Sequence, residues 1–176
     1  MMHPRPDFEA ENLFVPRRAW SLRLMSCGLI SYYIWVLRCV MAGFEILEHT
    51  ADVGVRAEGE SLGEVFEQAA LGLADIMGIY APGVGHTEDF EVEAPDVGAL
   101  LVDWLSEILW LHDSRDALLG GVEILGVTET SAKGRVILVP RAGEDVEGTQ
   151  VKAITYHQLA VKQTESGWRA QVFVDV

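Results

Sequence analysis

The chain has 176 residues, 13 Lys/Arg against 27 Asp/Glu, and two cysteines, so its length fits one domain with a single sizeable core. Residues 1 to 42 hold five basic and three acidic side chains, which leaves 8 − 24 = −16 for residues 43 to 176. Such a surface repels phosphate backbones and attracts basic proteins, and with Cys27 and Cys39 both in the first 42 residues the remainder has neither a disulfide nor a thiolate zinc site.

In the leader, residues 24 to 37 form an apolar run of 14, preceded by Arg17, Arg18 and Arg23 and followed by Arg38. That is short for a bilayer span and matches the hydrophobic stretch of a secretory signal. The alternative is that Met41 opens a self-sufficient domain and residues 1 to 42 are an upstream extension or a disordered, hydrophobic segment. We take that second division, with a domain over 43 to 176, cytoplasmic and without stable membrane association.

Gly43 to Gly59 reads as two strands around Glu48-His49-Thr50-Ala51-Asp52-Val53-Gly54. Two carboxylates, an imidazole and a hydroxyl lie within five positions there, and the small residues Ala51 and Gly54 leave room for a ligand beside Asp52. A solvated turn between two strands would account for the same residues. Ser61 with Glu64 three positions on is a capping box, so a helix is expected from there, with Leu62, Val65, Phe66, Ala69, Leu73, Ile76 and Met77 on its inner face and Gly78 closing it.

Pro82 to Gly85 is a turn, and no Lys-Ser or Lys-Thr follows to make it a phosphate loop. Glu88 to Ala94 alternates acid and apolar residues as a half-buried strand does. Asp96 caps a second helix through about His112, apolar over most of its girth and therefore central, with Asp103, Ser106 and Glu107 on a narrow polar side. Two strands are expected over Val122 to Val127 and Arg135 to Val139, joined near Lys133-Gly134, and Arg141 to Gln150 is a polar, acidic loop. Val151 to Val161 and Trp168 to Val176 should pair as a hairpin. Strand alternation puts Lys152, Ile154 and Tyr156 on one face and Thr155, His157 and Leu159 on the other, while Asp175 and the chain's own carboxylate fall together at the end. The whole reads as an α+β domain, an antiparallel or mixed sheet packed on two main helices.

Four stretches together, Glu48 to Gly54, Leu101 to Glu107, Lys152 to His157 and Asp175-Val176, resemble the archease family over residues 43 to 176. The resemblance implies a non-catalytic accessory protein of the RtcB-type RNA ligase in tRNA splicing and RNA repair, promoting guanylylation of the ligase and its repeated turnover and touching RNA only through that partner. It also implies a divalent metal, calcium or an oxygen-liganded relative such as magnesium, on Asp52, Asp175 and the terminal Val176. Three carboxylates at one point repel unless a cation neutralises them, and oxygen donors suit these ions. Lys152 corresponds to the family lysine tied to ligase activation, and His49 either supports Asp52 or is an ordinary structural histidine. Many relatives carry a longer, histidine-bearing loop where this chain has Arg141 to Gln150.

Two further functions are open, the first from the bare residues and the second as a role that the resemblance also implies. One is a metal-dependent phosphoesterase or nucleotidyl transferase on RNA ends, using Asp52 and Asp175 with His49 or His157 as base, although residues 43 to 176 lack a nucleophile elbow, a Walker loop and a His-Glu-x-x-His helix. The other is a chaperone or modulator of RNA-modifying enzymes.

Overall fold

The computed structural model describes residues 42–48, 53–141, 143 and 147–176. The order is β1 (Gly43–Glu48), β2 (Val53–Gly59), α1 (Leu62–Ile76), β3 (His86–Glu93), α2 (Val97–Arg115), β4 (Ala117–Val127), β5 (Ser131–Pro140), β6 (Ala153–Thr164) and β7 (Gly167–Asp175). Among the described residues this is the expected α+β class with two helices, and the strands divide between two antiparallel sheets, β1-β2-β7-β6 and β3-β5-β4. The leader expected over 1 to 42 lies, up to residue 41, outside the described residues. No helix among the described residues is long and apolar enough to cross a membrane.

Local chemistry sets the helix ends. Ser61 Oγ accepts from Glu64 N at 3.2 Å, and the Glu64 carboxylate returns to the amide of Glu60 at 2.9 Å, one residue before the position a capping box ordinarily satisfies. The chain leaves α1 through Gly78 at φ 65°, where a side chain would strike the Glu147 carbonyl. Asp96 caps α2 by accepting from Gly98 N and Ala99 N, both at 2.9 Å. That helix runs three residues past the expected His112, to Arg115, and ends on Asp116 in the left-handed region at φ 47°.

The core is centred on Trp104, fully buried in α2. Its ring lies 4.5 Å from Phe90 and 6.0 Å from Phe66, and its Nε1 donates to the Phe66 carbonyl at 3.2 Å, so its one polar atom is satisfied. Gly134 sits in β5 beneath this ring, and a Cβ there would stand 2.6 Å from Trp104 Cζ3. This corrects the turn expected near Lys133-Gly134: the glycine is there for close packing, and the strand runs through it. The chain reverses at Thr128 to Ser131, where Thr128 Oγ1 accepts from the amides of Thr130 and Ser131.

The hairpin of β6 and β7 closes through Gly167, as expected, but alternation fails inside β6. Its pairing with β7 jumps from Thr155↔Phe173 to Ala160↔Gln171, so Tyr156 to Leu159 bulge out, with Gln158 at φ 50°. Tyr156 consequently does not share the buried side of Ile154: it is 63% exposed, while Ile154 is buried and Leu159 packs against the core.

Candidate functional site

At one end of the four-stranded sheet three chain segments converge. β2 opens on Val53, which pairs with Val174 of β7; β7 ends on Asp175, which pairs with Ala153 at the start of β6. Immediately before β6, Lys152 donates its amide to the Asp175 carbonyl at 2.8 Å and its Nζ to the Val176 oxygen at 3.0 Å. Lys152, Asp175 and Val176 are all exposed. The lysine thus holds the chain terminus by two contacts, one from its backbone and one from its side chain.

Of the residues singled out in the sequence, the structure brings together Lys152, Asp175 and Val176. His49 and Asp52 lie outside the described residues. Among the described residues the Asp175 carboxylate has no hydrogen bond or ion pair, and no three His, Cys, Asp or Glu side chains converge as a metal would need. Asp175 and Val176 offer carboxylate and carbonyl oxygens, the donor type that calcium and magnesium take. His157 belongs to the β6 bulge. Its ring meets Phe173 edge-on at 5.9 Å, and its Nε2 is 2.9 Å from Gln158 Nε2.

Beneath the site lies a support that sequence reasoning did not find. Phe173 is 4% exposed, and its carbonyl accepts from Thr155 Oγ1 at 3.0 Å. Gly54 makes room for it, because a Cβ there would come 2.8 Å from Phe173 Cδ1 and 2.7 Å from the Val172 carbonyl. Gly54 is itself buried, so its small size serves strand packing. A polar relay then crosses the outer side of the sheet. Gln171 Nε2 donates to the Gln158 carbonyl at 3.3 Å, Arg56 Nη2 to Gln171 Oε1 at 3.2 Å, and Arg56 Nη1 to Glu45 Oε2 at 3.2 Å. The relay fixes the bulge that follows the Lys152 segment. Its only sequence signal was the run Thr155-Tyr156-His157-Gln158, and no spacing rule reveals a bulge within a strand-forming stretch.

The family model of the archease proteins matches residues 44–176. The chain belongs to the archease family. Among its relatives, the archease of Methanosarcina mazei is 36% identical over 140 residues, covering 76% of this chain and 95% of that one. The archease of Thermococcus kodakarensis is 38% identical over 144 residues, covering 77% and 100%. Two solved structures share the fold. A Methanobacterium thermoautotrophicum protein determined in solution is 28% identical, with a TM-score of 0.61 over 77% of this chain and all of that one. The Thermotoga maritima crystal structure, described as an archease and possible chaperone, is 23% identical, with a TM-score of 0.52 over 75% and 96%. The archease match thus covers both the tip and the two-helix core beneath it.

Proposed function

We propose that this archease-family chain is a non-catalytic activator of the RtcB-type RNA ligase, promoting guanylylation and turnover of the ligase in tRNA splicing and RNA repair in the cytoplasm. Its working end is the tip of the four-stranded sheet. There Asp52, Asp175 and the Val176 carboxylate hold a divalent cation, calcium or magnesium, which when bound supplies a concentrated positive charge and completes its shell from carbonyls and water. Lys152 positions the terminus and presents its ammonium beside it, and His49 steadies Asp52.

The observation that carries this reading is the register at the tip. Val53↔Val174 sets the neighbours of the two aspartates opposite each other, while Lys152 binds the backbone of Asp175 and the oxygen of Val176. The charge of −16 over residues 43 to 176 favours encounter with a protein whose substrate channel is basic, so association should weaken as salt rises.

The test is a guanylylation assay with purified ligase. Wild-type chain should accelerate label incorporation into the ligase, and Asp52→Ala, Asp175→Ala and Lys152→Ala should each abolish most of the acceleration while remaining folded. Full acceleration by Asp175→Ala, or none by the wild type, would end this reading.

A further inference from the structure

The three-stranded sheet carries a surface that the tip does not use. β3 is an edge strand, paired with β5 on one side only among the described residues. Beside it α2 presents a solvent-facing stripe of Asp103, Ser106, Glu107, Trp110 and Asp113, spaced at three and four residues. Trp110 is 53% exposed, in contrast to the buried Trp104 six residues earlier. It is also held in place: the Arg115 guanidinium stands 5.6 Å over the ring and is itself fixed by two bonds to Glu88 of β3, at 2.7 and 3.1 Å. One turn before Trp110, a shallow groove of about 320 Å³ opens between the strand and the helix, lined by Val92, Glu93, Asp103, Ser106 and Glu107.

An open strand edge, a rigid exposed tryptophan and a groove between them are what β-augmentation requires: main-chain bonds along the edge and a side-chain anchor beside it. Acidic residues along an edge strand also discourage self-pairing, and that alone would explain Asp89, Glu91 and Glu93. It does not explain why a tryptophan is stacked and left bare next to them. Charge decides the occupant. Glu93, Asp103 and Glu107 line the groove, Arg115 is engaged by Glu88 and Arg135 by Asp89, and Lys133, opposite Glu91 on β5, is one cation against the acids Glu91, Glu93, Asp103 and Glu107. Nucleic acid is repelled by such a surface, and so is a second copy of this equally acidic chain.

We propose that the free edge of β3 and the Trp110 side of α2 dock a Lys/Arg-rich extended segment of the ligase, as a second contact on a different sheet from the tip. This rests on the ligase reading above. The segment adds as a strand to β3, a basic side chain or its aliphatic stem packs on Trp110, and its neighbours pair with Glu93, Asp103 and Glu107. The tip then carries activation, and this edge carries affinity.

Binding of the full chain to the ligase is measured by calorimetry for the wild type, Trp110→Lys, Asp103→Lys and Leu125→Lys, with hydrogen exchange on the free and bound chain. Leu125, 42% exposed on β4 at the other edge of the same sheet, controls for an added charge elsewhere. Trp110→Lys and Asp103→Lys should each raise Kd about tenfold or more, Leu125→Lys should not, and acceleration at saturating Trp110→Lys should match the wild type. Amides of His86 to Glu93 should gain protection in the complex. Unchanged affinity in Trp110→Lys, or unchanged exchange along β3, overturns the proposal while wild-type stimulation leaves the ligase reading intact. A wild-type chain that neither binds nor stimulates the ligase removes that reading and this inference with it.

Discussion

Gly134→Ala probes the packing that carries the two helices on the sheets. The added methyl meets Trp104 Cη2 and stands 2.6 Å from Cζ3 and 3.1 Å from the Glu123 carbonyl, where about 3.4 Å or more is needed for contact without strain. The ring cannot easily swing away. It is fully buried, flanked by Phe66 and Phe90, and tied by its Nε1 to the Phe66 carbonyl, so rotation would sacrifice a buried hydrogen bond as well as contacts. Overpacking a well-filled core costs about 1–3 kcal/mol, and this geometry belongs near the upper end. For a domain of this size that is a fall in Tm on the order of 10 °C. The assay is thermal unfolding followed by circular dichroism for Gly134→Ala, Trp104→Leu and the double variant. The smaller leucine side chain should relieve the clash, making the double variant more stable than the sum of the single losses allows, with a coupling of about 1 kcal/mol or more. A Gly134→Ala protein melting within about 1 °C of the wild type would refute the reasoning.

Three further outcomes are expected. Ser61→Ala removes the acceptor for Glu64 N and should cost about 1 kcal/mol in urea unfolding, with no change in the slope against denaturant. The hydrogen bonds from Arg115 hold the Glu88 carboxyl below its ordinary range, against opposing desolvation, and those from Arg135 do the same for Asp89. Both pairs therefore contribute above the unfolded carboxylate values of about 4 and lose that contribution as pH falls through the lower folded values. Tm measured from pH 7 downward should show Glu88→Gln closest to the wild type at the acid end and furthest from it at neutrality. Appending Gly-Ser after Val176 turns the terminal carboxylate into an amide and should weaken calcium binding about tenfold, and an extended chain with unchanged affinity would remove Val176 from the ligand set.

Much of the fold was legible because its signals are local. Ser61, Glu64, Gly78 and Asp96 act on amides or turns within a few residues of themselves, and the apolar girth of Leu100 to Leu111 identified a central helix without knowledge of what covers it. What escaped were features set by partners far along the chain. Gly134 looks like a turn residue until Trp104, thirty positions earlier, is placed above it. Gly54 shows its packing role only once Phe173 comes across from β7. The division into two sheets depends on which strands pair, and strand patterning carries no such address. At the tip, Lys152, Asp175 and Val176 were found by family resemblance and by the coincidence of two carboxylates at the terminus. The bulge at Tyr156 to Leu159 was not legible, since its run of strand-forming residues, flanked by Ile154, Thr155 and Val161, suits both a regular strand and an interrupted one.

The proposed cation at the tip is tested most directly by calorimetric titration of calcium into the wild-type chain, Asp52→Ala and Asp175→Ala, each shown to be folded by circular dichroism. Saturable binding of one ion by the wild type, lost in both variants, is the expected result. Binding that survives in Asp52→Ala and Asp175→Ala alike, or a wild-type chain that takes up no calcium or magnesium, would contradict it.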